Sequence, residues 1–162
     1  MLIKQLVGHE IPDGMPINCE DYQIKTIKFE NNPLVKSGVV VSDGLSGHEI
    51  FANFANNTLT ISTDVDEIYF NEWADGCFQT LKALTTIQNL AMINTENTVD
   101  LRNLFYGCSS LESVDVSHFN TANVGLFSGM FTRCESLAQL NVSNFDTSNA
   151  TDMADMFSGT SI

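Results

Sequence analysis

Residues 104–129 read LFYGCSSLESVDVSHFNTANVGLFSG, and residues 130–155 read MFTRCESLAQLNVSNFDTSNATDMAD. Laid one over the other, the two stretches repeat at an offset of 26. Leu104-Phe105, Met130-Phe131 and Met156-Phe157 fall in one register. So do Cys108 and Cys134, Leu111 and Leu137, Val114 and Leu140, Val116 and Val142, and Phe119 and Phe145. The polar positions follow, Thr121 with Thr147 and Asn123 with Asn149. Upstream, Ile93-Asn94-Thr95-Glu96-Asn97 matches Phe119-Asn120-Thr121-Ala122-Asn123 at the same offset. Gly76-Cys77 resembles Gly107-Cys108, with extra residues between it and the Thr position. Residues 73–103 then form a first, irregular repeat, followed by 104–129, 130–155 and a partial 156–162.

The spacing Leu111-x-x-Val114-x-Val116 and Leu137-x-x-Leu140-x-Val142 is that of a leucine-rich repeat, whose period is about 20–29 residues. Alternation at Val114 and Val116 predicts a short strand with both side chains inward. An inward Phe119 or Phe145 follows, and then a polar turn. Its Thr and Asn side chains are suited to bonding nearby backbone and to capping the next segment. That segment reads as helical, because Met153, Met156 and Phe157 share one face at i, i+3 and i+4. One repeat cannot bury a strand face and a helix face alone, so successive repeats must stack, Leu111 on Leu137 and Phe119 on Phe145.

The runs LFYGCSSLESVDVSHFNTANV and MFTRCESLAQLNVSNFDTSNATDMADMF resemble the BspA-like leucine-rich repeats of bacterial and phage or mobile-element proteins, over about residues 73–162. The resemblance implies a right-handed solenoid of about three turns, with a strand-lined concave face. Many members of that family are secreted surface proteins implicated in adhesion. The fold expected is therefore mixed α/β: a short leucine-rich-repeat solenoid over residues 72–162, with a β-rich cap or head over residues 1–71. Within that head, residues 23–29, 38–42, 58–63 and 67–70 read as strands. Turn clusters separate them at Pro12-Asp13-Gly14, Asn31-Asn32-Pro33, Ser42-Asp43-Gly44 and Asn56-Asn57. Gly-His-Glu-Ile occurs twice, at residues 8–11 and 47–50.

Charge narrows the function. Twenty Asp and Glu against seven Lys and Arg give a net charge of −13. A phosphate-binding surface needs a basic footprint, so direct binding to nucleic acid or to an anionic membrane is not expected, while a basic protein partner is. No Lys or Arg lies between Lys36 and Lys82, a window that holds Asp43, Glu49, Asp64, Asp66, Glu67, Glu72 and Asp75. No apolar run is long enough to span a membrane, and residues 1–11 have no secretory core. The location expected is cytoplasmic if Met1 is the native start, and the cell surface if the chain is part of a longer secreted protein.

Catalytic and metal chemistry find little support. Asp64-Val65-Asp66 opens like a calcium loop, but Tyr69 stands where Gly is required and Asp75 where Glu is. Cys19, Cys77, Cys108 and Cys134 lie 58, 31 and 26 residues apart, without the paired spacing of a zinc site. Cys108 and Cys134 share a repeat position and read as buried, reduced fillers of one interior column. The histidines are His9, His48 and His118, and His118 falls at a variable position expected to be exposed. No catalytic residue, metal or cofactor is expected.

Two functional readings stay open. In the first, the chain is a non-catalytic recognition module. It binds a protein through an acidic surface (Asp64, Asp66, Glu67, Glu72, Asp75) and through the concave strand face (Ser113, Asp115, Ser117, Gln139, Asn141, Ser143). In the second, it is a small acidic cytosolic inhibitor, of the kind phages use against CRISPR enzymes, which blocks a basic nucleic-acid-binding host protein. The C-terminal repeat is uncapped, and self-association through it is a further expectation.

Overall fold

The computed structural model describes residues 24–34, 39–40 and 50–162. The paired Gly-His-Glu-Ile segments, Cys19, His9, His48, Asp43, Glu49 and the turn clusters at Pro12 and Ser42 lie wholly or mostly outside the described residues.

Among the described residues seven strands form, in the order β1 (Thr26–Asn31), β2 (Val39–Val40), β3 (Phe51–Ala55), β4 (Thr58–Thr63), β5 (Ile68–Tyr69), β6 (Thr86–Gln88) and β7 (Ile93–Asn94). A 3-10 turn, Leu90–Met92, precedes β7. Five strands make one sheet in the order β2-β3-β4-β1-β6, and β5 pairs with β7 in a second. The reason for the first sheet is plain in its central strands. Ile27 and Phe29 of β1, and Leu59 and Ile61 of β4, alternate with polar residues and are buried on one side. β1 runs parallel to β4 and to β6, so both sheets draw strands from either side of residue 71. β3 and β4 form a hairpin closed by Asn56 and Asn57, at φ 50° and 61°. Two consecutive left-handed residues give the turn whose twist suits a two-residue hairpin, and Asn tolerates that conformation.

The expected mixed α/β solenoid is overturned. Among the described residues no α-helix forms, and the chain is nearly all strand and turn. The strands read at Val114-Val116 and Leu140-Val142 shrink to one parallel bridge, Ser113 with Gln139, although Val114 and Val116 do point inward. The predicted helix at Met153–Phe157 is a run of turns. Its failure has a backbone cause. Two residues four apart take positive φ in each repeat: Gly76 and Thr80, Asn103 and Gly107, Gly129 and Arg133, Asp155 and Gly159. A right-handed helix cannot pass through such residues.

What the register produces instead is a set of stacked turns. Single parallel bridges join Trp73 to Asp100, Asp100 to Leu126, and Leu126 to Asp152, marking successive turns. Backbone N–H groups reach across to the following turn: Phe78 to the Leu104 carbonyl (2.9 Å), Phe105 to Met130 (2.9 Å), and Phe131 to Met156 (2.9 Å). The rings of Phe78, Phe105, Phe131 and Phe157 follow one another at 5.1, 5.5 and 5.9 Å between centroids, stacked with their planes nearly parallel at each step. Such pairs contribute about 0.5–1.5 kcal/mol each beyond area burial. Phe145 lays its ring against Phe127 at 5.9 Å.

The alignment of the first repeat also changes. Trp73 sits opposite Asp100, so Phe78 occupies the Phe105 position, and Leu81 rather than Cys77 occupies that of Cys108. The Thr and Asn side chains do not cap a local segment. Thr121 Oγ1 donates to the Asp146 carbonyl (3.1 Å) and accepts from the Asp146 N–H (2.8 Å), and Thr95 does the same with Asn120. Asn123 and Asn149 reach the other way, each donating to a carbonyl of the preceding turn.

Candidate interaction surface

The acidic stretch is positioned by three buried side chains. Ile68, Phe70 and Ala74 are 5%, 1% and 1% exposed and anchor the segment to the core. Alternation then turns Tyr69 outward, and the Asn71 carboxamide holds a tight turn by accepting from the Trp73 N–H (3.1 Å). Tyr69 is left 50% exposed and Trp73 59%. Asp64, Asp66, Glu67 and Glu72 are exposed, and Asp75 is half-buried.

Two of these carboxylates are fixed by neutral donors. Asp66 accepts from the Asn31 carboxamide at the end of β1 (2.7 Å), and Glu67 accepts from that of Asn94 in β7 (3.0 Å). Glu67 also hydrogen-bonds the Tyr69 phenol and raises its pKa. Asp75 adds to the field at Arg102, whose guanidinium pairs with Asp100. That guanidinium lies 2.6 Å from the carboxylate of Asp100, a fully buried residue, which raises the Arg102 pKa. Asp100 also accepts from the Arg102 N–H at 2.9 Å. The surface is thus a row of negative charges with two large aromatic side chains among them.

The six polar residues assigned to the strand face are all exposed, and Ser113 pairs with Gln139 in register. Part of that face is occupied by turn formation. The Asp115 carboxylate accepts from the Ser117 N–H (3.0 Å), and the Asn141 carboxamide does the same for Ser143 (3.0 Å). The Ser117 hydroxyl and N–H hold the Asp115 carboxyl below its ordinary value. Ser117 also gives its carbonyl to the Asn144 carboxamide (2.5 Å). Ser113 and Gln139 take no part in these turns. The acidic stretch borders β5 and the first turn, whereas the six polar residues belong to the second and third.

The thiols are structural. Cys108 and Cys134 are buried and donate to the Phe78 and Phe105 carbonyls of the preceding turn, at 3.0 and 3.2 Å. Burial pushes both thiols up, Cys134 to about 11, which keeps them protonated and unreactive. Cys77 is also buried. His118 departs from its expected exposure: it is half-buried, edge-on to Phe119, and burial lowers its pKa. Among the described residues no group of His, Cys, Asp or Glu is arranged to hold a metal, and no helix is long and apolar enough to cross a membrane.

Sequence reasoning missed the two exposed aromatics and the Asp100–Arg102 pair. Alternation around Ile68 and Phe70 could have found Tyr69. The burial of Asp100 had no sequence signal, because its equivalents are Trp73, Leu126 and Asp152.

Comparison with protein families gives one match: the model of a family described as "Mycoplasma protein of unknown function, DUF285" covers residues 74–162, more than half of the chain. That match begins at the first stacked turn and takes in all of those that follow. Neither a curated protein nor a solved structure matches the chain.

Proposed function

The chain belongs to the DUF285 family, and we propose that within it this protein is a non-catalytic recognition module for a protein with a basic surface. The observation that supports this reading is the exposure of Tyr69 and Trp73 among Asp64, Asp66, Glu67 and Glu72. Trp, Tyr and Arg dominate binding hot spots, and an aromatic face attracts Lys or Arg. The surrounding carboxylates raise the encounter rate of a cationic partner and set its orientation. Ser113 and Gln139 would add a small, wet contact on the later turns. The resemblance to BspA-like repeats supports recognition as the general role. The charge supports a second reading, an inhibitor seated in the nucleic-acid channel of a basic enzyme.

The test is a comparison of three baits in a lysate: the wild-type chain, a variant carrying Asp64→Lys, Asp66→Lys, Glu67→Lys and Glu72→Lys, and Trp73→Ala. The proposal expects a partner that wild type retains, that salt releases, and that the variant and Trp73→Ala both lose. Equal retention by all three baits would overturn it. If nucleic acid competes the partner away, the inhibitor reading gains over a general recognition role.

A further inference from the structure

Side chains that reach back one turn recur along the stack, and one of them titrates near neutral pH. Asn144 donates from the third turn to the Ser117 carbonyl of the second (2.5 Å) and, at 3.4 Å, to that of Phe119. His118 stands 26 residues before Asn144, and Leu90 stands 27 before Ser117. The imidazole makes the equivalent backward bond, to the Leu90 carbonyl of the first turn. A carboxamide keeps its charge at any working pH, whereas an imidazole gains a proton within that range.

His118 is seated as a neutral ring. Its Nε2 is buried and has no hydrogen-bond partner, and the ring stands perpendicular to that of Phe119 with centroids 4.9 Å apart. Leu90, which it bonds, is 4% exposed. A bare lone pair at Nε2 is tolerated in such a place. A proton on it adds a charge and a second N–H, and neither finds an acceptor there. The 3-10 turn Leu90–Met92 brings no titratable side chain to the ring, and the third turn brings the neutral Asn144. The charge that reaches the ring is that of Asp115, exposed and on the same turn, whose carboxylate accepts from the Ser117 N–H (3.0 Å).

We propose that His118 is an acid-released latch between the first and second turns: neutral, its ring holds the Leu90 carbonyl; protonated, it leaves for the solvent side beside the Asp115 carboxylate and lets residues 115–119 open. Asp115 and Ser117 then change partners, so the polar strand face of the second turn is one surface at neutral pH and another in acid. The third turn carries Asn141 and Asn144 at the positions of Asp115 and His118, and it has no such response. The latch is independent of the acidic surface proposed above.

Amide exchange in the full chain tests this, with each rate divided by its intrinsic chemical rate at the same pH. Phe119 and Phe145 are the matched reporters, because their N–H groups donate to the Val116 and Val142 carbonyls at 3.0 Å. The closed ring resists protonation and the open ring titrates near 6.5, so opening rises as pH falls below that value. From about pH 7.5 to about pH 5.5, exchange at Phe119 should speed up about tenfold while Phe145 stays level. His118→Asn, which copies the third turn, should make Phe119 level too. Asp115→Asn should shrink the rise, since its carboxamide still accepts from Ser117, as Asn141 does for Ser143, but offers no charge to the released ring. The side-chain resonances of wild-type His118 should titrate below 6.5. A level Phe119 in wild type, a parallel rise at Phe145, a rise that survives His118→Asn, or a His118 titration at 6.5 or above would each overturn the proposal.

Discussion

At the scale of the residue, the abundance of Asn, Asp, Ser and Thr has a definite use. Asn71, Asn94, Asp100, Asp115, Asn120, Asn141, Asp146 and Asp152 each accept through a side-chain oxygen from the N–H two residues on. Short polar side chains therefore build the turns that longer ones cannot. That these residues turn the chain was legible from their type. That Thr95 and Thr121 would instead bridge turns was not, because such partners lie 25 residues away. One residue works against its own backbone. Thr80 is β-branched and holds φ at 63°, where Gly107 and Gly159 stand in later turns. A left-handed conformation costs an L-residue about 1–2 kcal/mol, and Gly is spared it. After the entropy cost of Gly, Thr80→Gly should raise unfolding stability by about 0.5–1 kcal/mol. Urea denaturation reads it, and a loss of stability would count against the strain.

At the scale of the element, the strands of the sheet were legible where alternation was clean. The strand read over residues 58–63 forms as β4 (Thr58–Thr63), and Asn56-Asn57 makes its hairpin turn. β3 (Phe51–Ala55) escaped, since FANFA gives no polar alternation on its outer face. The helix read at Met153–Phe157 failed for a different reason. Apolar spacing of three and four suits any turn-rich coil that buries one side, and the left-handed residues at Asp155 and Gly159 decide against a helix. The first repeat shows the same limit: Gly76-Cys77 mimics Gly107-Cys108, while Phe78 and Leu84, each 27 before Phe105 and Leu111, carry the true register. What links the turns is testable at one side chain. Thr121 is 2% exposed and both donates to and accepts from Asp146, so Thr121→Val, of the same shape, leaves a buried N–H and a carbonyl unpaired. It should destabilise the fold by about 1–3 kcal/mol by thermal or urea unfolding, whereas Thr147→Val, at an exposed equivalent, should change little.

At the scale of the whole molecule, one apolar cluster runs from Ile24, just before β1, to Met156 in the last turn. The register that places Phe105, Phe131 and Phe157 in one column was legible, but the solenoid expected from it does not form, and the ring beside Phe145 is that of Phe127 rather than the expected Phe119. The exposed Tyr69 and Trp73 were not legible, since their placement depends on which neighbours the sheet buries. The acidity also sets a pH dependence. Hydrogen bonds from Ser117, Ser148 and Ala154 hold Asp115, Asp146 and Asp152 below their ordinary value of 3.8. Lowered carboxyl pKa values contribute stability that is complete above the ordinary value and lost as pH falls through the folded ones. Burial lowers His118 below 6.5, and its loss on acidification has the same sign. With about 0.5 M salt present to screen the self-repulsion of a −13 chain, stability should fall as pH drops below about 4. A midpoint that rises on acidification in that salt would contradict the assignment.

The central claim is that residues about 26 apart lie on one another. Ring-to-ring nuclear Overhauser effects in a Phe-labelled chain measure it most directly. The account predicts cross-peaks linking Phe78 to Phe105, Phe105 to Phe131, and Phe131 to Phe157 in one unbroken series. A spectrum in which Phe105 shows no effect to either Phe78 or Phe131 would contradict it.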